Sequence, residues 1–304
     1  KQFQELGVRI VRPPTYSGPA LYFNNDLYPL NRKEVRQAIA YAINKDENAT
    51  VSLGDSALRQ KYMAGLSDNI LPIWLAEDAL GKLNDYRYDP AKAAKILTSI
   101  GFKKGANGVW IDDKGKPMEY DLMVQQEFAD WSAAAQNAGN QLTNFGIKTT
   151  VRGVTHTQVP QEIWNGRFEI AFQGWGAGNP HPHFSYYQDF ITYNYPQGQG
   201  PGMNFPLVQE TAEFGTIDLQ DAVVATADGL DAEAQKATVT KLALIFNDLL
   251  PIVPLWERYG NNPVVDGVRA TSFPPDDNVA WGNSPYADNA VTMFLLDGSI
   301  VPVK

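Results

Sequence analysis

The sequence contains no cysteine and three histidines in 304 residues. The first absence excludes disulfides, thiolate metal sites and cysteine nucleophiles together. Among the histidines, His181 and His183 stand two apart in a proline-containing loop. No acid falls in ligand-like spacing before Asp189, so no metal site is expected. Long apolar runs are also missing, and nothing approaches the roughly 18–20 residues of a membrane-spanning helix. Positive charge is scarce: 25 Lys and Arg against 34 Asp and Glu give a net charge of -9. That balance argues against nucleic acid and against an anionic membrane surface as partners. No G-x-S-x-G, H-E-x-x-H, P-loop or EF-hand spacing occurs. The pairs Asp112-Asp113 and Asp276-Asp277 sit in turn-like sequence and read as solvated turn acids. Nothing selects two carboxylates for acid–base hydrolysis, and no cofactor is implied. The start, Lys1-Gln2-Phe3-Gln4, has no signal-peptide apolar region, so the chain is either cytosolic or has lost a leader.

What is present is a packed, aromatic-rich chain, 44% hydrophobic with seven Trp and fourteen Tyr. Rings serve cores first, but they also line pockets for peptides and sugars. The most telling stretch runs from Asn165 to Tyr187. Phe168, Ile170 and Phe172 alternate with Glu169, Ala171 and Gln173, a short strand signal that runs into Gly174-Trp175-Gly176-Ala177-Gly178. Three glycines around one large ring mark a strand end that backbone and ring both approach. The plainer alternative is a loop with a buried Trp anchor. Glycine spacing there does not fit a dinucleotide fingerprint.

Read in order, Val8–Val11 and Ala20–Phe23 are strand-like. Asn31 is placed to cap a helix bearing Val35, Ala38, Ile39, Ala42 and Ile43. Asp89-Pro90 starts another helix that Gly101 closes. Val109–Ile111 and Tyr120–Val124 flank a polar turn and predict a hairpin. A helix over 128–145, a strand over 147–154 and a short helix ending at Trp164 follow. The order over 89–173 is helix, hairpin, helix, strand, helix, strand. Such alternation predicts an α/β (mixed α+β) fold, a mixed sheet flanked by helices. Residues 176–206 read as a long irregular segment, aromatic enough to be ordered. Asp231–Leu250 is an amphipathic helix, and Pro251–Trp256 an edge strand or a crossing segment.

Several pieces together resemble the dipeptide/oligopeptide family (family 5) of extracytoplasmic solute-binding proteins of ABC importers. They are Leu21-Tyr22-Phe23-Asn24, the run from Val35 to Asn44, Tyr88-Asp89-Pro90 with Ala93-Ala94-Lys95-Ile96-Leu97, and Gly101-Phe102. The hairpin Gly108-Val109-Trp110 to Gly115-Lys116-Pro117, Gln141-Leu142 through Gly146-Ile147, Gly174-Trp175-Gly176 and Pro251–Leu255 complete the match. Their order and spacing over residues 20–256 carry it.

The resemblance implies a periplasmic-binding-protein-like lobe, part of a longer two-lobed protein that encloses ligand at a hinge. Residues 1–15 would be a hinge and first-lobe remnant, 16–255 the second lobe, and 256–304 a segment returning toward the first. It further implies an extracytoplasmic, often lipid-anchored monomer that delivers an oligopeptide or oligosaccharide to a membrane permease and catalyses nothing. Carbohydrate hydrolysis, or a regulatory or adhesive use of the fold, are the alternatives. One departure bears on the ligand. Peptide-binding relatives carry an aspartate after the Gly-Trp strand that pairs with the peptide amine; here the loop is Gly176-Ala177-Gly178-Asn179-Pro180-His181. A buried ammonium without a counter-charge costs several kcal/mol. Either the ligand is neutral, or another acid such as Asp189 supplies the charge. The expected ligand-binding residues are Trp175, Gly176 and Asn179, then His181, Tyr186 and Tyr187; Trp110 and Trp256 are assigned to packing.

Overall fold

The computed structural model describes residues 7–194, 201–283 and 288–303. Tyr195, one of the loop aromatics, lies outside the described residues. At the centre is a five-stranded mixed sheet in the order Ile252–Pro254, Ser17–Phe23, Ile170–Gly176, Glu119–Gln125, Lys148–Val154. Ser17–Phe23 runs antiparallel to both its neighbours, while Glu119–Gln125 runs parallel to both of its own. Ser17–Phe23 and Ile170–Gly176 are buried almost throughout, as central strands covered on both faces must be. The outer strand Lys148–Val154 alternates exposed and half-buried positions. Helices Lys33–Ala42, Pro90–Ser99, Ala129–Phe145 and Ala232–Leu249 supply the apolar stripes that close the main core around Leu21, Phe23, Ile39, Leu122, Phe172 and Phe246. The expected α/β lobe with a helix-flanked mixed sheet is the observed one.

Local chemistry explains most helix ends. Asp89 accepts from the Lys92 N–H ahead of Pro90, and Asn44 and Asp231 cap their helices in the same way. Gly146 ends Ala129–Phe145 in the left-handed region. Asn31 does not cap: Lys33–Ala42 begins after Arg32, without a side-chain cap. That helix is tied down instead by Arg36, buried, which donates to the carbonyls of Leu30, Leu249 and Leu250 and so satisfies the end of the helix Ala232–Leu249.

Three expectations change. Trp110–Ile111 pairs with Lys103–Lys104 rather than in a hairpin with the next strand. The turn held by Asp112, which accepts from Lys114 and Lys116, returns the chain only as far as Met118, whose N–H donates to the Trp110 carbonyl; the Trp110 N–H itself goes to the Gly146 carbonyl and the Met118 carbonyl to the Lys148 N–H. The strand Ile170–Gly176 continues through its glycines, because Ser17, Gly18 and Pro19 pair across from Gly176, Trp175 and Gly174. The stretch after Gly176 is not structureless: Pro182–Tyr186 is helical, Tyr187–Thr192 is a π-helical turn, and Tyr186, Phe190, Met203 and Phe205 are buried. A second, smaller cluster of Val11, Val264, Trp281, Ala290, Phe294 and Ile300 forms apart from the main core.

The tightest point in the fold is Gly18. A Cβ there would lie 1.9 Å from the carbonyl oxygen of Trp256, an atom that accepts a 3.0 Å hydrogen bond from Trp175 Nε1. Gly174 on the paired strand is roomy by comparison, with Trp131 Cη2 at 3.6 Å. Gly18→Ala is expected to destabilise by about 3 kcal/mol or more, because a backbone atom must move. Gly174→Ala is expected to cost under about 1 kcal/mol. Urea unfolding of the two variants checks the contrast.

Candidate functional site

A sizeable opening lies where the strand Ile170–Gly176 ends beside the entry to Ser17–Phe23. It is a cleft of about 520 Å³ lined by Thr15, Ser17 and Gly18 on one wall and Gly174 to Gly178 on the other. Phe128, Asp130 and Trp131, at the start of the helix Ala129–Phe145, form a third side, and Arg258 and Gln188 complete it. The glycines let two backbones meet. Gly176 has φ +63°, and a Cβ on it would stand 2.4 Å from the Tyr16 carbonyl oxygen.

The rings on the open surface are not the expected one. Phe128 is 41% exposed, and its ring centroid lies 5.8 Å from that of Trp131 and 5.9 Å from that of His156. Trp131 is half-buried and rests over Gly174. Trp175, the first expected ligand residue, is fully buried, and its indole N–H is committed to the Trp256 carbonyl. Full burial and a committed N–H suit the plainer alternative, a core anchor. Tyr186 is likewise buried, its hydroxyl turned to the Val239 carbonyl. Asn179 spends its side-chain oxygen on the His181 N–H, and His181 Nδ1 accepts from the His183 N–H while its ring packs on Trp74. His183 Nδ1 faces Val223 and Thr226, so the two histidines are turned to different partners. Tyr187 is half exposed. Of the six expected residues, the cleft lining contains Trp175, by position in its wall, and Gly176.

Electrostatically the cleft is balanced. Asp130 and Arg258 form a direct ion pair within the lining, part-exposed on both sides. Thr15 donates its N–H and its hydroxyl to the Arg258 carbonyl, at 3.0 and 2.9 Å. Asp189 is not available to meet an ammonium. It is buried, accepts the Gly176 N–H through Oδ1 at 2.8 Å, and its Oδ2 meets no partner. Burial pushes its carboxyl well above the usual carboxylate range, against the opposing pull of the Gly176 N–H.

Trp131 and Phe128 were legible as an i, i+3 aromatic pair at a helix start, continuing toward the N-terminus the face that carries the buried Ala134, Ala135 and Ala138. Sequence reasoning followed the stripe and left the pair unassigned. Asp130 and Arg258 are 128 residues apart, and no local spacing joins them.

Asp189 yields a pH prediction. An acid whose folded pKa is raised binds more protons folded than unfolded, so its contribution is present at low pH and is lost as pH rises above the ordinary carboxyl value of 3.8. Asp189→Asn keeps an acceptor for Gly176 and removes the titration. Thermal melts from pH 4 to 8 should show a shallower decline for the variant than for the wild type; parallel profiles contradict the assignment.

The sequence model for bacterial extracellular solute-binding proteins, family 5 Middle, matches residues 1–197. The chain is similar to the dipeptide-binding protein of Escherichia coli K12, 25% identical over 186 residues, covering 59% of this chain and 30% of that one. It is also similar to heme-binding protein A of Haemophilus influenzae, 24% identical over 285 residues, covering 91% and 44%. An oligopeptide-binding protein of an ABC transporter from Thermotoga maritima superposes with a TM-score of 0.74 at 20% identity, covering 94% of this chain and 53% of its own. A mannohexaose-bound structure of an oligopeptide-binding protein from the same organism gives 0.61 at 19%, covering 96% and 52%. The chain thus spans under half the length of those curated relatives and about half that of the solved ones. These solved structures share its fold, and the family match identifies it: the chain belongs to the bacterial extracellular solute-binding proteins of family 5.

Proposed function

We propose that this chain is one lobe of a solute-binding component of an ABC importer, and that its cleft takes a neutral oligosaccharide. The single observation that carries the ligand class is the cleft's lining: two part-open rings, Phe128 and Trp131, beside a self-compensated Asp130–Arg258 pair and the small polar groups Thr15, Ser17 and Gln188. Ring faces stack on the apolar sides of sugars, while amides, hydroxyls and paired planar side chains bond to hydroxyl groups. No net charge is left over to neutralise a free terminus. The mannohexaose bound to a structural neighbour supports the same class.

In this reading residues 16–255 form the second lobe, residues 1–15 and 256–304 lead toward a first lobe, and closure of the two buries the ligand. The protein works outside the cytoplasmic membrane, as a monomer, and hands its cargo to a permease. It binds and does not catalyse, with neither metal nor cofactor. A two-carboxylate hydrolase needs a second acid facing the first, and among the described lining residues the carboxylate is Asp130. A peptide is the second reading, favoured by Asp130 and Arg258 themselves, which could part to receive an amine and a carboxylate, and by the similarity to a dipeptide-binding protein.

Calorimetric titration with mannohexaose and with a neutral pentapeptide separates the two. Sugar binding alone is expected, and peptide binding alone sinks the oligosaccharide reading. Trp131→Ala should weaken sugar binding by about 10-fold or more, as loss of a stacked ring face is worth about 1.5 kcal/mol or more. Its melting temperature should stay close to wild type. Trp175→Ala should do the reverse, destabilising the fold by about 3–5 kcal/mol as a fully buried Trp.

A further inference from the structure

We propose that Glu257 is a positioning residue of the ligand cleft: its buried carboxyl group, held from behind by Ser67 and Asn69, grips the backbone N–H of Tyr16 and thereby sets Thr15 and Ser17 on the cleft wall. The inference rests on the cleft being the ligand site.

The geometry begins with the strand Trp256–Arg258, which pairs with Ala57–Arg59. Each of its three residues holds a different part of the cleft. The Trp256 carbonyl takes the Trp175 indole N–H. Arg258 sends its side chain into the lining and its carbonyl to Thr15. Glu257, between them, is 2% exposed and points inward. Its Oε1 accepts the Tyr16 N–H at 3.0 Å. The Ser67 hydroxyl lies 2.8 and 2.7 Å from its two oxygens, and Asn69 Nδ2 donates to Oε2 at 3.0 Å.

Tyr16 is where such a grip matters. It has φ +54°, a conformation that a residue with a bulky side chain adopts only when its surroundings impose it. It is pinned at both ends, by Glu257 at the N–H and by the Gly282 carbonyl, which accepts its hydroxyl at 2.6 Å. The Tyr16 carbonyl is also the atom against which a Cβ on Gly176 would collide. The two walls of the cleft therefore touch at Tyr16, and the residues flanking it, Thr15 and Ser17, both line the opening.

A carboxyl group is a costly way to fill this space. No lysine or arginine appears among its hydrogen-bond partners in the described residues. The groups facing it are Asp68, itself accepting from the Lys61 and Tyr62 N–H groups, with Tyr16 and Tyr259. Arg59 and Lys61 act on Asp68 from the adjoining strand end. Burial, with Asp68 adding to it, pushes the Glu257 carboxyl up to about 8. The group is thus protonated in the folded chain where it would be ionised unfolded. Its contribution is present below the ordinary value of 4.5 and is lost as pH rises from there to about 8. An acid kept under these conditions, where an apolar side chain would cost less, points to its use as an acceptor for one strained N–H.

The test needs no ligand in its first arm. Amide hydrogen exchange is measured on the whole chain for wild type, Glu257→Gln and Glu257→Ala. The Tyr16 amide should lose protection by about 10-fold or more in the alanine variant and keep it to within about 3-fold in the glutamine variant, whose amide oxygen still accepts. Protection of Leu21, Tyr22 and Phe23 should be unchanged in both. Equal Tyr16 protection in all three proteins, or a uniform loss along Ser17–Phe23, overturns the proposal. Should Glu257→Ala fail to fold, Ser67→Ala decides: it must lower Tyr16 protection by about 3-fold or more, and unchanged protection overturns the proposal. In the second arm, mannohexaose affinity should fall with Glu257→Ala and be rescued by Glu257→Gln. A wild type that binds no mannohexaose counts against the sugar reading, while the exchange data still judge Glu257.

Discussion

The fold depends on one crossing, the indole N–H of Trp175 hydrogen-bonded to the carbonyl of Trp256 across the backbone of Gly18. The strands Ser17–Phe23 and Ile170–Gly176 pair along their whole lengths up to this point. The chain that leaves the sheet edge at Pro254 passes over them as Trp256–Arg258. No side chain fits between, so position 18 admits only hydrogen. Pairing runs one step beyond the crossing, to Ser17 and Gly176, and there the backbones part to leave an opening. The cleft lies beside the crossing, where the sheet stops.

That origin explains the distribution of roles among aromatic side chains. Trp175 and Trp256 sit at the lock and are consumed by it, one donating to the other's carbonyl while Trp256 Nε1 reaches Asn48. The rings free to meet a solute come from a different element, the start of the helix Ala129–Phe145, which overhangs Gly174. The charges are arranged to cancel, with Asp130 near the positive end of that helix and Arg258 opposite it. A site of this kind favours ligands recognised by shape and hydroxyl groups over ligands that bring a bare charge.

Much of this architecture was legible in the chain. Asp89-Pro90, Asn44, Gly146 and Asp231 act locally, through caps and left-handed turns, and their helices form where those residues place them. The alternation over residues 89–173 likewise led to the right sheet. What was not legible shares a cause. The glycines around Trp175 left a ligand-facing ring and a buried anchor both open, and they serve close backbone approach to residues 16–18, about 160 positions away. Asp112 did make its turn, but how far the turn ran on as a hairpin depended on Gly146 and Lys148, which take the Trp110 N–H and the Met118 carbonyl. Asp130 with Arg258, and Glu257 with Tyr16, are joined only by tertiary structure. Phe128 and Trp131 were different: the spacing was visible, and only their position above Gly174 makes it meaningful.

The central claim is that solute is met by the Trp131 side of this cleft. Backbone amide chemical-shift mapping of the chain during addition of mannohexaose tests it most directly. The account predicts saturable shifts confined to residues 15–18, 128–131 and 174–178, with those around Tyr186 and Val239 unmoved. Shifts centred elsewhere, or a response to the pentapeptide and none to the sugar, contradict it.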